Sequence, residues 1–220
     1  MDWTAARVTL WLAAATTAVL LALGVPLAYW LATTRRRWKI LVEAAVTLPL
    51  VLPPTVVGFY LLVASGPHSP VGRWVAGATG RPLPFTFAGI LVGSVLVNLP
   101  FAVRPFAAAF AAVDPRYREA AWCLGVSRLG TFLRVTLPLA WPGVFAGAVL
   151  TFAHTVGEFG VVLMVGGNVP GVTRTLSVAV YDDVQALDYA AAGTTAAALV
   201  AFAFVAVAVV QFAQGRSARP

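Results

Sequence analysis

Hydrophobic positions along this chain do not alternate with polar ones. They run on, in five continuous stretches at residues 8–30, 40–63, 85–103, 139–165 and 189–212. Crossing a hydrocarbon core of ~30 Å takes about 20 helical residues, so each stretch is of membrane-spanning length. Their continuous apolarity marks them as helices and excludes barrel strands, which alternate over units of about ten residues. The first stretch is not a signal peptide, because it outlasts a usual signal core and the cluster Arg35-Arg36-Arg37-Trp38-Lys39 behind it acts as a stop-transfer flank. The second carries Pro49, Pro53 and Pro54, so it is kinked or broken. Carbonyls freed by such a break are tolerated in a membrane only where protein or water meets them, which puts this segment at the bundle centre, near a pathway.

Between the third and fourth stretches lies a polar, arginine-bearing island over residues 114–138. Asp114 followed by Pro115 reads as a helix start: the carboxylate accepts an orphan amide proton, and proline at the first helical position loses no bond. A short helix is expected over about 115–124. Gly125 suits the left-handed position that ends it, and Ser127 caps a second helix running to a break at Pro138. Ala120 then shares a face with Leu124, and Ala121 with Gly125, giving a small-residue face that another protein can approach closely. Arg116, Arg118, Arg128 and Arg134 around it fit a basic cytoplasmic loop, and also suit lipid headgroups or an acidic partner. Of the other connections, 65–84 is rich in Gly and Pro with Trp74 at an interfacial position. Residues 166–188 begin with turns and then form a short amphipathic helix over 176–184, read as interfacial.

Charge then sets the orientation. With 60% hydrophobic and 10% charged residues among 220, and a mean hydropathy of +0.87, the chain is an integral membrane protein. Five crossings with the N-terminus outside place Arg35, Arg36, Arg37, Lys39, Arg104, Arg116, Arg118, Arg128, Arg134, Arg216 and Arg219 inside, eleven of the fifteen cations. The net charge of +7 is thereby explained by topology and the anionic inner leaflet, without nucleic acid. The single Cys123 can form no intrachain disulfide, and no zinc spacing, catalytic triad or phosphate-binding glycine loop occurs. Three ionisable residues lie in the apolar runs. Glu43, four after Lys39, is expected to make an interfacial pair with it. His154 and Glu158 share one helix face, with Gly157 and Gly160 leaving room for a close neighbour. That face either belongs to a translocation path or is a hydrogen-bonded structural pair at a wet helix end.

The island also carries a long ungapped pattern: Glu119-Ala120-Ala121, three residues, Gly125, nine residues, Val135, one residue, Leu137-Pro138. It resembles the EAA loop of ABC importer permeases at every fixed position. PLVLPPTVVGFYLL (49–62), GEFG (157–160), GGNVPG (166–171) and TRTLSVAVYD (173–182) resemble the permeases of molybdate/tungstate ABC importers. GEFG and the Gly-Asn-Val-Pro segment are also similar to sulfate/thiosulfate permeases, whereas the proline-rich segment and Thr-Arg-Thr-Leu favour molybdate. The resemblance covers nearly the whole chain and implies a type I ABC importer permease fold. On that reading, 1–220 is one all-α transmembrane domain in a bacterial or archaeal inner membrane, with a cytoplasmic coupling loop at 114–138. It implies a homodimer, two ATP-binding subunits that hold ATP and magnesium, and an extracytoplasmic molybdate-binding protein. No cofactor is implied in this chain, and ATP hydrolysis falls to the partner. The residues implied for ATPase coupling are Glu119, Ala120, Ala121, Gly125, Leu137 and Pro138. Those expected along the path are Pro53, Pro54, His154, Gly157, Glu158 and Gly160. A proton-coupled secondary anion transporter would explain the His154–Glu158 pair but not the EAA spacing, and a non-transporting scaffold would explain neither.

Overall fold

The computed structural model describes residues 2–217, and side-chain surroundings for 2–212. Arg219 and the side chain of Arg216, both counted above among the inner cations, lie outside the described residues. All of the described secondary structure is helical: α1 (Trp3–Thr33), α2 (Lys39–Val51), α3 (Pro54–Ser65), α4 (Pro70–Thr79), α5 (Phe87–Ala111), α6 (Pro115–Cys123), α7 (Arg128–Thr131), a π turn (Phe132–Thr136), α8 (Leu137–Val156), α9 (Gly160–Gly166), α10 (Leu176–Gln185) and α11 (Tyr189–Ser217). Four of these helices, counting α7 through α8 as one, are long and apolar enough to cross a membrane, and five spans result if α2 and α3 are one broken crossing.

α1, α5 and α8 form the centre. α1 and α5 run parallel, since Gly24 lies against Val103 and Phe106 while Tyr29 meets Phe110 edge-on at 5.5 Å. α8 runs antiparallel to α5, with Gly143 against Ala109, Gly147 against Pro105 and Phe106, and His154 beside Asn98. Lipid tails are as apolar as the side chains, so exchanging one for the other gains little and close packing must hold the helices together. Small residues at the crossings permit that approach. α11 packs on α8 and α10, with Phe152 and Phe202 6.1 Å apart, and leaves Val200, Phe204 and Val205 exposed for lipid or a partner.

The prolines of the second stretch act as expected. α2 ends at Val51, Leu52 turns to an extended conformation, and α3 restarts with Pro54 in its first turn, at an angle of 109°. Even so, both halves pack on α5: Lys39 and Glu43 of α2 line one groove with Ala107 and Ala111 of α5, and Leu61 of α3 lies beside Gly93.

Two expectations are corrected. No break occurs at Pro138; α7, the π turn and α8 form one run in which Leu137 N–H reaches back five residues to Phe132 O. The widened turn makes room for the proline ring that would clash in a regular α-helix, so the chain continues. The fourth stretch, by contrast, is not one helix. It stops at Val156, and Gly157, Glu158 and Phe159 separate α8 from the short α9. The 65–84 connection contains α4, capped by the Ser69 hydroxyl accepting from Gly72 N–H at 2.7 Å. The helix expected at 176–184 is present as α10.

Candidate functional sites: a capped loop and a polar pocket

The loop from Asp114 to Ser127 is built from local rules. Asp114 Oδ1 accepts from Arg116 N–H at 2.9 Å, and Pro115 opens α6. At its end Gly125 adopts φ 78°, its N–H bonds Trp122 O at 3.0 Å, and Val126 N–H bonds Ala121 O at 3.0 Å. This pair of bonds is a Schellman closure, which needs a left-handed residue at Gly125. Ser127 Oγ then accepts from Gly130 N–H at 3.1 Å and starts α7.

The six residues expected to couple do not form one face. Glu119, Ala120 and Gly125 are exposed, but Ala121 is buried, and Leu137 and Pro138 belong to the start of α8. Ala121 therefore braces the loop from within, correcting the expected small-residue face. What the loop shows to the outside is larger: Tyr117, Trp122, Leu124, Leu129 and Leu133 are all exposed large hydrophobics. Beside them a cleft of about 890 Å³ separates the end of α1 (Tyr29, Arg35) from Arg118, Glu119, Trp122 and Arg128. Apolar knobs rimmed by cations suit a protein partner better than a small ligand.

The second site joins α3, α5, α8 and α9. Pro54, His154, Gly157, Glu158 and Gly160 line one open cavity of about 370 Å³; Pro53, the residue before α3, does not line it. α3 and α9 approach closely there. A Cβ on Gly160 would stand 3.0 Å from Pro54 Cβ, and one on Gly58 would stand 2.7 Å from Met164 Cβ. His154 bonds Asn98 through Nδ1 and Oδ1 at 3.0 Å, and its ring stacks on Phe101 at 3.9 Å. Because Asn98 Nδ2 donates to Ser94 O at 2.9 Å, its Oδ1 is the atom facing His154 and can only accept. Nδ1 therefore carries a proton, and a neutral ring keeps its lone pair on Nε2. Glu158 is 5% exposed. Its Oε2 stands 3.8 Å from His154 Nδ1, too far for a direct hydrogen bond.

Asn98 and Phe101 were not anticipated. The signal for Asn98 was available: it is the single amide within the 85–103 stretch, and it is fully buried. A search for ionisable groups alone passes over it.

Residues 24–219 match the model of the family described as binding-protein-dependent transport system inner membrane component. The chain belongs to this family. The permease is 52% identical over 204 residues to the molybdenum transport system permease protein ModB of Azotobacter vinelandii, covering 93% of this chain and 90% of that one. It is 34% identical over 184 residues to ModB of Escherichia coli strain K12, covering 84% and 80%. Among solved structures it superposes on a bacterial alginate ABC transporter with a TM-score of 0.75 at 19% identity, covering 98% of this chain and 78% of that one. For the inward-facing MetNI methionine ABC transporter the TM-score is 0.70 at 19% identity, covering 94% and 93%. At those identities the likeness concerns the fold, which is that of ABC transporter permeases. Family membership and the apolar helices make the permease a multi-pass inner-membrane protein.

Proposed function

We propose that this chain is the membrane-spanning permease subunit of an ATP-driven ABC importer that carries molybdate or tungstate into the cytoplasm. The observation that carries this reading is the 52% identity to a molybdenum permease across nine-tenths of both chains. The permease is not itself the ATPase; a separate ATP-binding subunit hydrolyses ATP with magnesium, and an extracytoplasmic binding protein delivers the anion. The working unit contains two copies of the permease and two ATP-binding subunits.

The chain crosses the membrane five times, N-terminus out and C-terminus in, as a single domain. Two observations support this. Both halves of the bent α2–α3 pair pack on α5, α2 in the groove with Ala111 and α3 beside Gly93. The ends also differ in charge: Arg35, Arg118 and Arg128 gather around one cleft, while the opposite end carries a mixed cluster in which Arg174 pairs with Asp182 at 3.2 Å and Asp2 at 3.9 Å. Cations concentrated at one end mark it as cytoplasmic.

The loop at 114–138 docks on the ATP-binding subunit. Glu119, Ala120 and Gly125 lie on its exposed side, Ala121 holds its shape, and Leu137 and Pro138 start the helix that carries its movement inward. The uninterrupted run from Arg128 to Val156 spans roughly 43 Å at about 1.5 Å per residue and ends at the polar pocket. ATP binding draws two such loops together and opens the permease outward; hydrolysis reverses the movement. The path runs past Pro53, Pro54, His154, Gly157, Glu158 and Gly160, to which Asn98 is added as the group that orients His154. A wall with few fixed cations binds the dianion weakly and so releases it. Selectivity is tested with the reconstituted importer: excess tungstate should abolish labelled-molybdate uptake and excess sulfate should not. Equal competition by sulfate would move the assignment to the sulfate/thiosulfate permeases.

A further inference from the structure

A groove of about 460 Å³ lies between the end of α1, the start of α2 and the last turns of α5; it meets the cleft beside the loop at Ala32 and shares no residue with the polar pocket. Its walls are apolar, with Val46, Val103 and Ala107 among them, and three charged residues line it: Lys39, Glu43 and Arg104. Lys39 Nζ stands 3.8 Å from Glu43 Oε1, with both side chains well exposed. Arg104 is exposed and has no ion-pair partner among the described residues. It sits seven residues before the end of α5, roughly 10 Å along the helix, where an unpaired guanidinium beside hydrocarbon is costly.

We propose that this groove binds the headgroup of an anionic phospholipid, with Arg104 and Lys39 on the phosphodiester and the acyl chains along the accessible Thr47, Ala107 and Ala108 surface, over a floor formed by the buried Val46 and Val103. Arginine's planar fork matches two phosphate oxygens, whereas the lysine ammonium contributes a point charge. Basic pockets between transmembrane helices at the cytoplasmic side take anionic headgroups in this way. A free oxyanion would use the cations but gain nothing from the apolar walls, so the groove suits the lipid. Glu43 weakens the site by holding part of the Lys39 charge. The leaflet rests on the N-out orientation; the site itself does not.

The test is native mass spectrometry of the full chain in detergent, titrated with phosphatidylglycerol or phosphatidylcholine. The wild type should retain phosphatidylglycerol preferentially. Arg104→Gln or Lys39→Gln should each weaken its binding about five-fold, from about 1 kcal/mol per cation. Glu43→Gln should strengthen binding, a gain that no folding defect can mimic. Unchanged binding in all three variants, equal retention of the two lipids by the wild type, or displacement of phosphatidylglycerol by millimolar inorganic phosphate or molybdate would each overturn the proposal. The last of these would reveal a site for free oxyanions instead. In oriented proteoliposomes, protection confined to phosphatidylglycerol in the opposite leaflet would overturn the orientation and leave the site standing.

Discussion

Replacing Gly125 separates the shape of the loop from its chemistry. A Cβ at this position would meet nothing within 4 Å, so alanine introduces no clash. Its whole effect comes from holding an L side chain at φ 78°, which costs about 1–2 kcal/mol. Both closing bonds, from Gly125 to Trp122 and from Val126 to Ala121, depend on that conformation. An energy of that size changes the ratio of closed to open loop by about 5- to 30-fold. Asparagine tolerates the left-handed region better than alanine, and valine tolerates it worse. Docking strength should therefore fall in the order Gly, Asn, Ala, Val, by up to that factor for alanine. The assay is co-purification of the ATP-binding subunit at limiting concentration, with the melting temperature of the permease measured alongside. The loop can open without the bundle, so melting should move by no more than a few degrees. Alanine and valine variants that bind the ATPase as well as wild type would refute the assignment of the turn as the docking element.

Orientation is checked with an impermeant thiol reagent on intact cells: exposed Cys123 should escape labelling, and Gly77→Cys on α4, a position open to solvent, should be labelled. Asn98→Leu leaves the His154 Nδ1–H without its acceptor, an expected loss of about 1–3 kcal/mol. The double variant with His154→Leu should regain part of the lost melting temperature while uptake stays slow; additive losses would mean that the two side chains are not coupled. Gly58→Ala drives a methyl group to 2.7 Å from Met164 Cβ and should destabilise by about 1–3 kcal/mol; unchanged melting would show that α3 and α9 are not packed as described.

The parts of this fold that were legible in the sequence are those fixed by a few neighbouring residues. Asp114-Pro115, Gly125 and Ser127 each impose a cap through their own backbone or hydroxyl chemistry, and each cap is present. Pro53-Pro54 likewise breaks the second stretch where expected. Pro138 misled because a proline can be accommodated as well as obeyed, and the π turn that accommodates it leaves no trace in hydrophobicity. The interruption at Gly157–Phe159 falls at the one polar, glycine-bearing part of its stretch, which the four-residue spacing of His154 and Glu158 reads as one helix face; what ends the helix there is the packing of the short α9 on α3, which is distant in sequence. Ala121 illustrates the same limit for the loop: spacing put it on the small-residue side of α6, but only the packing of α6 on α7 and the π turn leaves Ala121 buried. In the pocket, the four-residue spacing of His154 and Glu158 was readable, whereas the Asn98 bond spans 56 residues and arises from the antiparallel packing of α5 and α8.

The most direct measurement of the central claim is molybdate uptake into proteoliposomes containing the permease, its ATP-binding subunit and the external binding protein. Uptake should require ATP and the binding protein, stop with vanadate, and show no response to an imposed pH gradient alone. Accumulation driven by protons in the absence of ATP would contradict the claim and make His154 and Glu158 the centre of a secondary transporter.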